Sequence, residues 1–230
     1  TFGMPDNNED GYSIIETSDQ GYAVLGNTGS ENKDISLLKI DSLGNQIWVQ
    51  SYGGSQYDEA RHFQETFDGG FIISGITKSY GYGEEDIWII KTNTSGLIDW
   101  NVNFGEGQND RGAQILQTDE GGYIVIGEKY NIDLENSDLW LLKINSQGEL
   151  SWEKTLGSTG DDRGYDIKNN RSGGYLLLGS TNSFGNGGSD IWLINTDSDG
   201  NEIWSKTYGS SNNEYFDQLY MPLHLRLTFQ

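Results

Sequence analysis

The chain has 230 residues, enough for one large all-β domain, and no cysteine. Its 35 acidic and 14 basic residues give a formal net charge of −21, which repels phosphate backbones and anionic lipids, so we expect no nucleic-acid partner. The missing cysteines exclude disulfides and thiolate chemistry, and no apolar run approaches the roughly 18–20 residues of a membrane span, so we expect no membrane insertion.

A unit of about 52 residues repeats along the chain. Each unit closes on a glycine that follows a tryptophan by five residues. The glycines are Gly3, Gly53, Gly105, Gly157 and Gly209, and the tryptophans are Trp48, Trp100, Trp152 and Trp204. Self-similarity at such a period is typical of propellers, solenoids and arrays. We therefore expect one domain over residues 1–230, with repeats at 4–53, 54–105, 106–157 and 158–209 and a partial repeat at 210–230.

The third unit illustrates the four strands that each repeat predicts. The first, near residues 112–116, starts on a small residue, as a crowded position requires. The second and third, at 123–127 and 139–142, are continuously apolar and are therefore predicted to be buried on both faces. The fourth, at 152–156, alternates apolar and polar residues, which is typical of a half-buried outer strand. This gradation predicts the four-stranded blade of a β-propeller.

The number of blades is open at the level of the sequence. Four full units are followed by the start of a fifth at Ser210, and residues 221–230 then alternate like one last strand of a different type. We expect a five-bladed or incomplete propeller, with four blades as the alternative.

A known family shares the motifs of the fourth unit. The motifs are Gly-Ser-Thr-Gly-Asp-Asp-Arg-Gly at 157–164, Gly-Gly-Tyr at 173–175 and Gly-Ser-Thr at 179–181. They resemble the bacterial and archaeal beta-propeller repeat family, and residues 190–201 are similar to the delta-sixty propeller repeat. The resemblance implies a propeller fold and an extracellular or cell-surface location. The first unit departs from the pattern, because Ser36 stands where the other third strands carry tryptophan.

Acidic residues recur just before each first strand. They are Glu9, Asp58, Asp110, Asp162 and Glu214. If the first strands line a central axis, these carboxylates form a ring at one mouth of the channel, where they could hold Ca²⁺ or orient a hydroxylated ligand. The alternative is that each carboxylate caps a turn by accepting backbone N–H bonds.

The loops between second and third strands carry aromatic residues with less to pack against, and these are candidates for ligand contact. They are Tyr80, Tyr82, Tyr130 and Phe184. The tryptophans of the third strands, Trp88, Trp140 and Trp192, are expected in the core. The sequence contains no zinc-protease, serine-hydrolase or P-loop motif.

These features favour a non-enzymatic binding or structural module without a required cofactor, acting outside the cell or at its surface on protein or glycan partners. One alternative is a carbohydrate-active enzyme that uses paired carboxylates such as Asp110 and Asp162. Another is a homo-oligomer that is completed by exchange of the C-terminal strand.

Overall fold

A computed structural model describes residues 8–30 and 32–214, which form sixteen β-strands. Sheet 1 comprises β1 Glu9–Glu16, β2 Tyr22–Thr28, β3 Asp34–Ile40 and β4 Gln46–Tyr52. Sheet 2 comprises β5 Asp58–Glu65, β6 Phe71–Thr77, β7 Asp86–Thr92 and β8 Ile98–Phe104. Sheet 3 comprises β9 Arg111–Gln117, β10 Tyr123–Asn131, β11 Asn136–Ile144 and β12 Leu150–Leu156. Sheet 4 comprises β13 Asp162–Asn169, β14 Tyr175–Thr181, β15 Asp190–Thr196 and β16 Glu202–Tyr208.

Each sheet is an antiparallel meander in which consecutive strands are hydrogen-bonded neighbours, and no sheet closes on itself. The prediction of repeated four-stranded all-β units is thereby confirmed. Tight turns join the strands, as where the Gly44 N–H donates to the Asp41 carbonyl at 3.1 Å. Within the described residues, no helix is long and apolar enough to cross a membrane.

Successive sheets pack face to face around three apolar cores, one at each junction. On β10, Tyr123 and Val125 point into the core shared with sheet 2, while Ile124 and Ile126 point into the core shared with sheet 4. The strand is therefore buried on both faces, as its continuous apolar sequence predicts. The third-strand tryptophans Trp88, Trp140 and Trp192 are buried, as expected.

The fourth-strand tryptophans of sheets 1, 2 and 3 each pack on a turn glycine of the next sheet. The pairs are Trp48 with Gly96, Trp100 with Gly148, and Trp152 with Gly200. A Cβ on Gly148 would lie 2.8 Å from Trp100 Cε3, and each of these turn glycines has positive φ. At the two ends of the stack, Gly44 and Trp204 have no such packing partner among the described residues. Nothing lies within 4 Å of a Cβ on Gly44, and Trp204 is 40% exposed.

The first strands of successive sheets are joined by bonds from the backbone to side chains. Gln64 Oε1 accepts from the Gln117 N–H at 3.0 Å, and Gln114 Oε1 accepts from the Ile167 N–H at 2.5 Å. The first strands β5, β9 and β13 therefore lie side by side, and their polar side chains share one edge of the stack.

The outer face of sheet 4 carries apolar residues. They stand at the positions that, one repeat earlier, pack between sheets 3 and 4. These residues are Leu176, Leu178, Ile191, Leu193, Trp204 and Tyr208, each one repeat after a residue of the third core. Among residues 8–30 and 32–214, no sheet packs on this face. The last strand predicted at 221–230 lies outside the described residues.

We predict that Gly148→Ala destabilises the protein more than Gly44→Ala does. Both glycines have φ near 83°, so both substitutions carry the same penalty of about 1–2 kcal/mol for a left-handed alanine. Only Gly148 faces a tryptophan, and displacing Trp100 adds about 1–3 kcal/mol. Denaturant unfolding measures the difference, and equal losses for the two variants would contradict the packing described above.

Candidate functional site

A charged pocket of about 490 Å³ opens at the edge of the stack where the first strands lie side by side. Its lining residues are Tyr57, Glu59, Arg61, Lys78, Glu85 and Arg111. Glu59 and Arg61 come from β5, and Arg111 comes from the start of β9 in the next sheet. Lys78 and Glu85 come from the connection between the second and third strands of sheet 2. The pocket is therefore built at a junction between sheets.

A series of ion pairs connects this pocket to the first strands of the next two sheets, β9 and β13. Arg111 pairs with Glu85 through Nε and with Glu128 at 3.6 Å. Glu128 also pairs with Arg163 on β13, at 2.7 Å. We call this surface, defined by Glu59, Arg61, Arg111, Glu128 and Arg163, the first-strand groove.

The groove keeps hydrogen-bond donors available to a ligand. The side chains of Arg111 and Arg163 are 43% and 45% exposed, whereas Glu85 and Glu128 beneath them are mostly buried. Burial opposes ionisation of Glu85, but its hydrogen bond and charge interaction with Arg111, together with Lys78, hold its pKa below the usual range. Burial raises the pKa of Glu128 although Arg163 and Arg111 act against it. The acids thus fix the guanidinium groups in place and leave their outer edges open.

A second pocket of about 260 Å³ lies at the matching position of sheet 4. It is lined by Asp161, Arg163, Tyr165, Ser180, Asn182, Ser189, Asn213 and Glu214. The Tyr165 hydroxyl and Ser180 Oγ are 3.0 Å apart. Arg163 belongs both to this pocket and to the first-strand groove, so the two cavities are parts of one surface.

The acids predicted as a channel-mouth ring do not face a common opening. Asp58, Asp110 and Asp162 are at most 1% exposed, and each accepts a backbone N–H from the residue four positions earlier. This geometry is the turn cap that the sequence offered as the alternative. Glu9 is exposed, and Glu214 accepts from the Ser210 N–H at 3.1 Å while it lines the second pocket.

Each buried cap lies beside a second carboxylate at the start of a third strand, as Asp86 lies beside Asp110. Asp86 Oδ2 accepts from the Tyr82 N–H at 2.8 Å, whereas its buried Oδ1 accepts no hydrogen bond from the described residues. Burial, and then the charge of Asp110, raise the pKa of Asp86. Within residues 8–30 and 32–214, no three acidic or histidine side chains are grouped so that they could hold a metal ion. The carboxylate pairs thus do not assemble the calcium site considered from the sequence.

The loop aromatics have partners that the sequence did not indicate. The ring of Tyr80 packs 5.0 Å from Trp88 and its hydroxyl donates to the Gly53 carbonyl at 2.8 Å. Phe184 packs 5.3 Å from Trp192 in the same way. The expectation that these aromatics have little to pack against is wrong for Tyr80 and Phe184, because each packs on a buried tryptophan, and each is still 44% exposed. Tyr82 is exposed and Tyr130 is half-buried.

The first-strand groove itself was not predicted as a site. A signal was present, because three of the five arginines, Arg61, Arg111 and Arg163, lie on first strands in a chain with few bases. Their partners Glu85 and Glu128 come from other elements, so spacing along the chain does not reveal the pairs.

No model of a known protein family matches the chain, and no curated protein matches it. Among solved structures, the chain is similar to a hypothetical protein from Leishmania major at 10% identity, covering 85% of this chain and 89% of that one. The TM-score is 0.32, and no inference is based on this likeness.

We predict that Asp86→Asn gains stability relative to the unmodified protein as the pH rises from about 4 to 7. A raised carboxyl pKa means that ionisation opposes folding, so stability is lost as the pH rises through the folded-state pKa. The amide removes that ionisation and keeps an oxygen for the Tyr82 N–H.

Asp41→Asn is the matched control. Hydrogen bonds from the Asn45 side chain and backbone lower the pKa of Asp41, so its charge contributes stability above the ordinary carboxyl range. The control should therefore keep a nearly constant difference from the unmodified protein between pH 4 and 7, because the stability from its charge is lost only below the ordinary carboxyl pKa. Unfolding midpoints at several pH values measure both differences, and a difference for Asp86→Asn that falls with pH would contradict the assignment.

Proposed function

We propose that this protein is a non-enzymatic β-propeller module that binds a glycan in the first-strand groove, outside the cell or at its surface. The observation that carries the proposal is the pocket of Arg61, Lys78 and Arg111 with Glu59 and Tyr57. Guanidinium and carboxylate groups donate to and accept from sugar hydroxyls, and a tyrosine ring packs on the apolar face of a sugar. A cavity of about 490 Å³ is within the range of small-ligand sites.

A propeller is supported by the way each sheet leads into the next. The Asp110 N–H donates to the Glu85 carbonyl at 2.6 Å, and the Glu214 N–H donates to the Ser189 carbonyl at 2.7 Å. The hydrogen bond of Glu214 thus matches the hydrogen bond of Asp110 at the junction between sheets 2 and 3, which supports the proposal that a fifth unit begins here. This favours a ring of more than four blades over the four-bladed alternative.

The ion pairs of the groove carboxylates favour binding over glycan cleavage: although burial raises the pKa of Glu128, its carboxylate is only 12% exposed and contacts Arg163 and Arg111. A glycosidase needs one carboxylic acid that carries a proton at working pH and a second carboxylate across the bond. Glu85 pairs with both Arg111 and Lys78, which keep it ionised, and Glu59 pairs with Arg61 at 3.1 Å. Asp110 and Asp162 are at most 1% exposed and cap turns, which argues against a catalytic role.

We predict that Arg111→Gln weakens glycan binding at least about tenfold, because a charged hydrogen bond is worth about 1.5–3 kcal/mol. Arg171→Gln is the control, since Arg171 is an exposed arginine between β13 and β14. An array of neutral and acidic oligosaccharides identifies the ligand, and calorimetry compares the variants. Equal binding by both variants, or no binding by the unmodified protein, would overturn the proposal.

A second candidate function is self-assembly, and the outer face of sheet 4 favours it. Its six apolar residues are the register equivalents of residues that pack against the following sheet, and Trp204 and Tyr208 are 40% and 54% exposed. An apolar face of this kind binds another sheet, such as one from a second copy. The route that the sequence suggests, exchange of the C-terminal strand, involves residues outside the described part of the chain.

We predict that the 230-residue chain associates as its concentration rises and that Trp204→Ser weakens the association. Leu43→Ser is the control, because Leu43 is 85% exposed in a turn of sheet 1. Sedimentation velocity over a hundredfold range of concentration measures the effect. A single monomer at all concentrations would rule out assembly through this face.

A further inference from the structure

The pockets of sheets 2 and 4 occupy equivalent positions in two repeats. Corresponding residues are Tyr57 and Asp161, Glu59 and Arg163, Arg61 and Tyr165, Lys78 and Asn182, and Glu85 and Ser189. In both pockets the start of a first strand forms one wall, and the connection between the second and third strands forms the other. The two cavities therefore share a backbone frame, whereas each of the five corresponding pairs of side chains differs in chemical type.

The sheet between the two pockets does not interrupt the surface. Arg111 on β9 occupies the position of Glu59 and Arg163, and it pairs with Glu85 on one side and Glu128 on the other. Glu128 pairs in turn with Arg163 of the second pocket. A continuous row of exposed guanidinium groups and their acids thus connects the cavities.

The charges along this row carry no excess of cations. Four cations, Arg61, Lys78, Arg111 and Arg163, lie among five anions, Glu59, Glu85, Glu128, Asp161 and Glu214. The rest of the chain is strongly acidic, with a net charge of −21. A ligand with its own carboxylates or sulfates would be repelled by that field and would meet no compensating excess of positive charge. A ligand of hydroxyl groups uses the donors and acceptors without this penalty.

We infer that the ligand is a neutral linear polysaccharide that lies along the first-strand groove and occupies both pockets at once. The inference rests on the proposed glycan-binding function. Packed sheets are about 10 Å apart, so the pockets of sheets 2 and 4 are separated by a span on the order of 20 Å. Once one part of a polymer is bound, the second contact is intramolecular and raises the affinity without any new kind of contact.

The test is calorimetric titration with cello-, laminari- and xylo-oligosaccharides of two to eight units. In the series that binds, affinity should rise at least about tenfold when the oligomer becomes long enough to reach the second pocket. Equal affinity at all lengths would overturn the two-pocket inference and leave the proposed function intact. Absence of binding by all three neutral series would overturn this inference, and absence of binding across the array of neutral and acidic oligosaccharides would overturn the proposed function as well. Tighter binding of oligogalacturonides of the same lengths would overturn the neutral class.

Variants in the second pocket give an independent readout. Asn182→Ala and Tyr165→Ala should abolish the gain of the long oligomers and leave the affinity of the short ones unchanged, because the larger pocket of sheet 2 still binds them. Arg171→Gln should change neither affinity, and unfolding midpoints establish that the variants are folded. A length-dependent gain that survives both substitutions would contradict the role of the second pocket.

Discussion

The packing of a fourth-strand tryptophan on the turn glycine of the next sheet is the contact on which the rest of the structure depends. It recurs at all three junctions between described sheets, as Trp48 on Gly96, Trp100 on Gly148 and Trp152 on Gly200. Large aromatic rings contribute much of the buried area, and a positive-φ glycine lets the ring approach the turn backbone. The contact fixes the outer edges of neighbouring sheets, while the apolar cores between them fix their faces.

With the outer edges and faces fixed, the first strands are brought together at the opposite edge. There the side chains are polar because backbone N–H groups of β9 and β13 need acceptors, which Gln64 and Gln114 supply. Arg111 and Arg163 extend from the same edge and are held by Glu85 and Glu128. The candidate binding surface is thus a consequence of how the sheets stack, and its two pockets recur at the same position because the repeats are alike, although their lining side chains differ.

Strand order and burial could be predicted from the sequence because they depend on local patterns: apolar runs predict β10 and β11, and alternation predicts β12. The site could not, since Arg111 and Glu85 are 26 residues apart and meet only across a junction between sheets. The sequence placed Asp58 just before a first strand, whereas it is the first residue of β5, and the sequence does not reveal that the Thr77 and Ser79 hydroxyls donate to its carboxylate. Tyr80 was predicted to be open to ligands for the same reason, because the buried Trp88 beneath it comes from a different strand.

A crystal structure of the protein with a bound neutral linear hexasaccharide tests the central claim most directly. We predict sugar density along the first-strand groove, with hydroxyl groups hydrogen-bonded to Arg111 and a sugar ring packed on Tyr57. Density confined to the loops of Tyr82 and Phe184, with the groove in contact with solvent alone, would contradict the claim that the stacking of the sheets builds the binding site.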